Sequence, residues 1–444
     1  MPRAARRLAS AGLLRTTATG VAVALASAAC MTSNKNTGGG DGGASSDDGG
    51  RDGGHSGTFA CGGAAGGGEN GGGVISNNWT ALTLFNDATN DVLHAAQALV
   101  TGIYFAALDK GWIVTKGAQR SSNLGGAVFT ARQHAVTGIA FAGPDGGPSK
   151  VGAIDFTGLE PTPSGYIAMS YAADIVQSRD GGASFAITRN GAGNPFGIEA
   201  VLGYRVTGSG TTLVRRTGVI SSSTSAPGPD SLYTDVWAPN ASPPIPDPVP
   251  GDACRDGPLG GSLPVTRESV FISCDGFIAY TANPGDDPQI CLSHDGGHSF
   301  KPSHLTVPAG AEFARPTGVL FLSPSVGITW LANAAVTPYL KRTTDGGATW
   351  IDVTPVSVVS PRIELHGAFF APDARHGWIA GFDHDRDAAL LLATSDAGAS
   401  WTAVGSGLAE AVAAAGGSKL YCGFALDETH FWLGGDAGLV LAHE

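Results

Sequence analysis

The sequence predicts an all-β chain of 444 residues, most of it folded as a single closed ring of small four-stranded sheets. Three observations predict this: an eight-residue phrase that returns four times, a near-constant spacing between copies, and short alternating strands between them. The phrase is Ser/Thr, any residue, Asp, any residue, Gly, any residue, Ser/Thr, aromatic. It reads Ser178-Arg-Asp180-Gly-Gly182-Ala-Ser184-Phe185 and Ser293-His-Asp295-Gly-Gly297-His-Ser299-Phe300. It returns as Thr343-Thr-Asp345-Gly-Gly347-Ala-Thr349-Trp350 and Thr394-Ser-Asp396-Ala-Gly398-Ala-Ser400-Trp401. A supersecondary unit repeated in this way must stack on its neighbours to bury its apolar face. A ring of such units, a β-propeller, leaves no long edge unpaired.

Each copy has the chemistry of a fastened hairpin turn. An Asp carboxylate accepts from backbone N–H groups ahead of it, and Gly takes the positive-φ position. The flanking hydroxyls satisfy further turn groups. The closing aromatic, Trp350 and Trp401 in the last two copies, starts the next strand and packs inward.

Spacing counts the blades. Asp345 and Asp396 are 51 residues apart, Asp295 and Asp345 are 50, and Asp180 and Asp295 are 115, which is two periods. The long gap predicts a sheet without the phrase, around Gly203–Ser242. A degenerate copy, Ser121-Ser-Asn123-Leu-Gly125, lies 57 residues before Asp180. At the end, His430 to Leu441 reads as two strands of a sheet that lacks its fourth. Near the start, Asn78-Trp79-Thr80-Ala-Leu82-Thr-Leu84 reads as a fourth strand that lacks its sheet. Joining them closes the ring over residues 75–444 with seven blades; six and eight stay open. Gly111–Thr115, Gly318–Leu322, Gly327–Leu331 and Gly377–Gly381 are short, β-branched or aromatic strands bounded by turn residues. Only Leu408–Ala415 has helical character.

The first thirty residues read as an address. Arg3, Arg6, Arg7 and Arg15 form a basic start, and Thr16–Ala29 is an uncharged run too short to span a bilayer. The run ends Leu25-Ala-Ser-Ala-Ala-Cys30. That ending resembles a bacterial lipoprotein signal, which implies that residues 1–30 are a signal peptide and Cys30 carries the lipid. Ser27 departs from the usual Leu, and cleavage after Ala29 would instead release a soluble periplasmic or secreted protein. Met31 after the cysteine points to the outer membrane or cell surface. Residues 31–74 are rich in Gly, Ser and Asp and too poor in apolar residues to offset their ordering entropy, so they predict a flexible tether. A Pro-rich insertion at about 226–261, with Pro243-Pro244-Ile-Pro246-Asp-Pro248-Val-Pro250, is expected to be extended.

Five of the six cysteines remain, an odd number in an oxidising compartment. Cys61 and Cys422 flank the proposed closure and are candidates for a disulfide across it. None of the cysteines has metal-site spacing. A formal charge of −12 with only 14% charged residues argues against nucleic-acid binding. No phosphate-binding loop or dinucleotide fingerprint is present, and no cofactor is expected. Asp383-His-Asp385-Arg-Asp387 alternates like a calcium loop, yet Ala388 and Thr394 replace the Gly and Glu such a loop needs. A solvated turn is the simpler reading there and at Asp286-Asp287, with a glycosidase carboxylate pair as a further alternative.

The repeated phrase resembles the Asp-box, or BNR repeat, of sialidases, xyloglucanases, sortilin-type receptors and photosystem II assembly factors. The resemblance implies that Asp180, Asp295, Asp345 and Asp396 are structural, on turns between third and fourth strands and away from the functional face. The opposite face is then where chemistry is expected. Arg132, Arg267, Arg315 and Arg362 each fall just before a proposed first strand. First strands line the channel, so these arginines are candidates to ring its mouth and bind an anion. Sialidases hold a carboxylate with such arginines, and the assembly factors present an arginine-rich patch to a protein. The Phe/Tyr-Arg-Ile-Pro signature of sialidases is absent before the first copy; Pro361-Arg362-Ile363-Glu364 is a fragment of it. The expected function is therefore a lipid-anchored, monomeric binding module for a protein or glycan, touching the membrane only through its anchor. The alternative is a secreted glycoside hydrolase of sialidase type.

Overall fold

The chain is described by a computed structural model covering residues 79–82, 84, 98–117, 128–132, 135–139, 156–161, 167–171, 174–178, 180–183, 186–189, 198–207, 210–218, 231–237, 270–272, 277–282, 288–295, 299–308, 314–332, 337–358, 362–405 and 407–444. Among these residues the strands form seven antiparallel sheets. In chain order, β1 (Trp79–Leu82) is followed by a first sheet of β2 (Ala98–Ala107), β3 (Lys110–Gly117), β4 (Val128–Arg132) and β5 (Ala135–Ile139). The second holds β6 (Phe156–Pro161), β7 (Ile167–Tyr171), β8 (Asp174–Gln177) and β9 (Ala186–Arg189). The third has three strands, β10 (Ile198–Thr207), β11 (Gly210–Gly218) and β12 (Ser231–Trp237).

The fourth sheet holds β13 (Val270–Ile272), β14 (Ile278–Ala282), β15 (Gln289–Ser293) and β16 (Lys301–His304). The fifth holds β17 (Arg315–Phe321), β18 (Gly327–Ala332), β19 (Pro338–Thr343) and β20 (Ile351–Asp352). The sixth holds β21 (Ile363–Phe370), β22 (Gly377–Asp383), β23 (Ala388–Thr394) and β24 (Thr402–Ala403). A short helix, α1 (Leu408–Ala414), leads into β25 (Leu420–Ala425), β26 (Phe431–Gly435) and β27 (Val440–His443). To this last group β1 adds as a fourth strand, pairing Trp79 with His443 and Leu82 with Val440.

The sheets touch through their inner strands. β2 packs on β6, β10 on β6 and β13, and β17 on β13 and β21; β25 then packs on both β21 and β2. Apolar layers fill the joints. Between the last sheet and the first, Phe105 stacks on Trp432 with ring centroids 3.7 Å apart, beside buried Val100, Ile103, Phe424 and Val440. Burial of several large apolar side chains at such a joint is worth about 1.5–3 kcal/mol each.

The turns behave as the phrase dictates. In the fifth sheet the Thr343 hydroxyl donates to Asp345 Oδ1 at 2.7 Å and accepts from the Gly347 amide at 2.8 Å. Asp345 then accepts from the Thr349 amide at 2.8 Å and the Thr349 hydroxyl at 2.6 Å. Asp396 repeats this with Thr394 and Ser400, and Asp295 accepts from Ser293 and Ser299 in the same way. Ser178 likewise donates to Asp180. Each turn joins the third strand of its sheet to the fourth. The Thr349 and Thr343 groups hold the Asp345 carboxyl well below the usual range, at about 2.

These turns also fix one sheet to the one before it. Gly347 has φ 89°, and a Cβ there would sit 2.6 Å from Leu292 of β15. Gly398 has φ 79° and would strike Ile328 of β18 at 2.5 Å. Hydrogen bonds cross the same joints: Trp112 Nε1 donates to the Gly182 carbonyl at 3.1 Å, and Ser303 donates to the Gly347 carbonyl. Trp350 donates to Ser303 at 2.8 Å, and Trp401 is buried, donating to the Gly398 carbonyl at 3.1 Å.

Four sequence expectations need correction or lie elsewhere. Cys422 is a free thiol buried on β25, 3.7 Å from the Val100 carbonyl, and is not stapled to Cys61. It is enclosed by Val100 and Gly434, so the joint it was meant to brace is closed by packing. Cys61 lies outside the described residues, as do Cys30 and residues 31–74. The degenerate copy at 121–125 falls between β3 and β4; the passage from third to fourth strand is the tight hairpin that pairs Arg132 with Ala135. Asn123, Ala127 and Val128 stand where the phrase has its carboxylate, its second hydroxyl and its aromatic, so this segment lacks the groups that fasten such a turn. Finally, the Pro-rich insertion begins too early: residues 231–237 form β12 and pair with β11.

Replacing Gly347 with Ala puts a methyl group against Leu292 at a left-handed φ. The expected loss is about 1–3 kcal/mol, read as a lower thermal midpoint. Gly405→Ala, at a position with nothing within 4 Å, is expected to change it little.

Candidate functional site

The registers give each sheet two ends. First strands start where second strands finish, as Arg315 of β17 opposite Ala332 of β18 shows. The connections from second to third strand and from fourth strand to the next first strand therefore share one end. The fastened turns occupy the other, with Phe321, Gly327 and Thr343 level across the fifth sheet.

Two of the four predicted arginines stand at the free end. Arg315 opens β17 half-buried, and Arg362 immediately precedes β21 with its side chain 60% exposed, its Nε 3.7 Å from Asp385. Arg132 does not join them. It ends β4, a third strand, and so lies at the end that carries the fastened turns. The turn from third to fourth strand follows Arg132 directly, so the residue closes a third strand instead of preceding a first one. Arg267 lies outside the described residues. The acidic loop after β22 is a self-contained turn: Asp383 Oδ1 accepts from the Asp385 and Arg386 amides, and its Oδ2 pairs with Arg386 at 3.0 Å. Asp286 and Asp287 lie outside the described residues.

A denser cluster sits beside Arg362, in the joint between the sixth and last sheets. Its hub is Glu364 on β21. Glu364 Oε2 is 3.2 Å from His384 Nε2, 3.4 Å from Lys419 Nζ and 3.8 Å from His366 Nε2. Strand geometry explains the gathering. Glu364 and His366 are alternate residues of β21 and share a face, whereas Ile363 before them and Leu365 between them are buried. His384 follows β22, its amide held by the Arg362 carbonyl at 2.9 Å. Lys419 enters β25, its amide donating to Asp436 at 2.9 Å, and its ammonium lies 4.7 Å from the centre of the Phe382 ring. Tyr421 stands two residues on, its ring 4.7 Å from that of His366.

Electrostatics settle the form of Glu364 and of Tyr421. Burial raises the Glu364 carboxyl, but His366, Lys419 and His384 outweigh it and hold it below its ordinary value. Glu364 is therefore an anion at neutral pH. Burial, with help from Asp436 and Glu364, pushes the Tyr421 phenol up to about 12. Tyr421 is thus a hydrogen-bond donor with its proton retained. The cluster offers donors and acceptors of both signs and nearly balanced charge. None of its five members was singled out from sequence. The available signal was polar residues at alternating positions, Glu364 and His366, at the start of an otherwise buried strand.

No family model matches the chain, and no curated protein matches it in sequence. Solved structures do match in fold. YCF48 bound to D1 peptide is 13% identical, with a TM-score of 0.54 over 83% of this chain and 98% of that one. YCF48 from Cyanidioschyzon merolae gives 13% and 0.52 over 82% and 98%. The GH74 xyloglucanase from Xanthomonas campestris gives 13% and 0.51 over 82% of this chain but 53% of that one. At such identity the likeness establishes the β-propeller fold alone.

A carboxyl held low in the folded state stabilises above the carboxylate range, and that contribution disappears as pH falls through the folded value. Glu364→Gln should therefore flatten the fall in stability between neutral pH and about pH 3, measured by denaturant unfolding across that range.

Proposed function

We propose that the chain is an exported, lipid-anchored propeller of seven blades that binds a protein or glycan at a bacterial cell envelope without catalysis. Seven contacting sheets and the pairing of β1 with β27 support the blade count and the closure. The signal-like start, Cys30 as the acylated residue and the Gly/Ser-rich tether support a ring held off an outer-membrane or cell surface by a leash. No helix among the described residues is long and apolar enough to cross a membrane.

The observation that carries the binding reading is the cluster around Glu364. Five side chains from two sheets meet at the end free of fastened turns, and they present donors and acceptors in near charge balance. Such a surface suits backbone amides of a peptide or hydroxyls of a sugar better than a densely charged ligand. Arg315 and Arg362 stand at the same end and extend it with positive charge. The YCF48 structure with its D1 peptide is an instance of a ring of this fold holding a peptide.

The hydrolase reading draws on one observation, the Tyr421 phenol near the Glu364 carboxylate. The chemistry runs against it. A tyrosine nucleophile needs a base to take its proton, and three cationic or ionisable neighbours make Glu364 a weak one. A glycosidase acid also needs a carboxyl raised in pKa, and Glu364 is lowered.

Peptide and glycan arrays probed with the mature chain test this reading. Binding to one class is expected, weakened about tenfold or more in His384→Ala, Lys419→Ala, since two lost charge-assisted contacts are worth at least ~1.4 kcal/mol. Turnover of sialosides that Glu364→Gln abolishes would instead make the chain a hydrolase. In cells, Cys30→Ala should move the protein from the membrane fraction to the soluble one.

A further inference from the structure

At the opposite end of the ring, the turns from first to second strand of the last two sheets share a motif, Asp-x-x-His. In the sixth sheet Asp373 Oδ1 accepts from the Arg375 and His376 amides, both at 3.0 Å, and Asp373 Oδ2 meets His376 Nδ1 at 2.5 Å. In the last sheet Asp427 does the same for the Thr429 and His430 amides and for His430 Nδ1, at 2.7–2.9 Å. An Asp–His pair of this kind is a way of closing a turn, and twice over it needs no ligand to explain it. One difference separates the two. Glu428, inside the second turn, reaches across the joint to the first, and its Oε2 lies 3.3 Å from His376 Nδ1.

We infer that Asp373, His376 and Glu428 form a binding site for a divalent transition cation that clips the sixth sheet to the last. The three donor atoms lie within 4.8 Å of one another, and each side chain is partly open to solvent, so an ion can enter. Two carboxylates and a neutral imidazole match a dication in charge. One nitrogen and two oxygens suit zinc or a neighbouring first-row metal better than calcium or magnesium, which want more oxygens. The frame is preorganised: the two amides on Asp373 Oδ1 leave Oδ2 facing the imidazole, and the Ala371 amide, bonded to the His376 carbonyl at 2.8 Å, closes the turn behind it. A metal at about 2.0–2.2 Å from each donor would need the Asp373–His376 pair to open by under ~1 Å. Three protein ligands leave a fourth position for water, or for a ligand from another molecule. The site lies away from the Glu364 cluster and does not depend on it.

The test is calorimetric titration of zinc chloride into the full mature chain, untagged and stripped with a chelator. One equivalent is expected to bind and to raise the thermal midpoint, reversibly with chelator. His376→Gln should weaken binding at least thirtyfold and Glu428→Gln at least tenfold, while His430→Gln, in the sister turn, binds like the parent. Thermal midpoints without metal check that each variant is folded. Absence of binding by the parent, unchanged affinity in His376→Gln, or equal loss in His430→Gln would overturn the assignment.

Discussion

At Gly182, Gly347 and Gly398 the backbone comes so close to the preceding sheet that no side chain fits, and each residue holds a left-handed φ. That approach is what packs separate sheets against one another. It requires a turn whose shape is fixed before the sheets meet, and the hydroxyl and carboxylate groups of the phrase provide it. Thr343 and Asp345 satisfy the turn internally, which leaves the Gly347 carbonyl free to accept from Ser303 of the neighbouring sheet. Loss of the glycine would force the two sheets apart; loss of the carboxylate would loosen the turn that presents it.

The fastened turns hold one end of their sheets, and the other end carries none of them. Its connections carry polar residues onto the starts of buried strands, where they are positioned by rigid neighbours rather than by loops. Glu364 gathers His366, His384 and Lys419 there because β21 and β25 lie side by side and the turn after β22 curls over them. The joint between the sixth and last sheets thus holds both clusters of interest, one at each end: the amphoteric group around Glu364, and the carboxylate–imidazole group around His376.

Much of the architecture was legible because the phrase is local. Asp345 and Thr349 are four residues apart and form the same bonds whatever surrounds them, so both the turn and its place after a third strand can be read from the chain. The strands at 318–321, 327–331 and 377–381 were legible from their alternation, as was the helix from Leu408. Where no phrase stood, legibility failed. The first sheet turns at Arg132–Ala135 without a carboxylate, so Arg132 was assigned to the wrong end. The candidate cluster was largely hidden for a different reason: Glu364 and Lys419 are 55 residues apart, and only the stacking of two sheets brings them to 3.4 Å. Cys422 was misjudged because nearness to a closure does not tell whether a thiol faces a partner or, as here, a carbonyl within the core.

The claim that the turn glycines weld one sheet to the next is tested most directly by native-state hydrogen exchange at the Gly347 and Gly398 amides. These amides bond only to the Thr343 and Thr394 hydroxyls, at 2.8 and 3.0 Å, so strand pairing does not protect them. If the weld holds, they open only with the sheets and exchange as slowly as the central strand β18. Exchange at the rate of an ordinary surface turn, with β18 still protected, would show that the sheets stay together without them and would contradict the account.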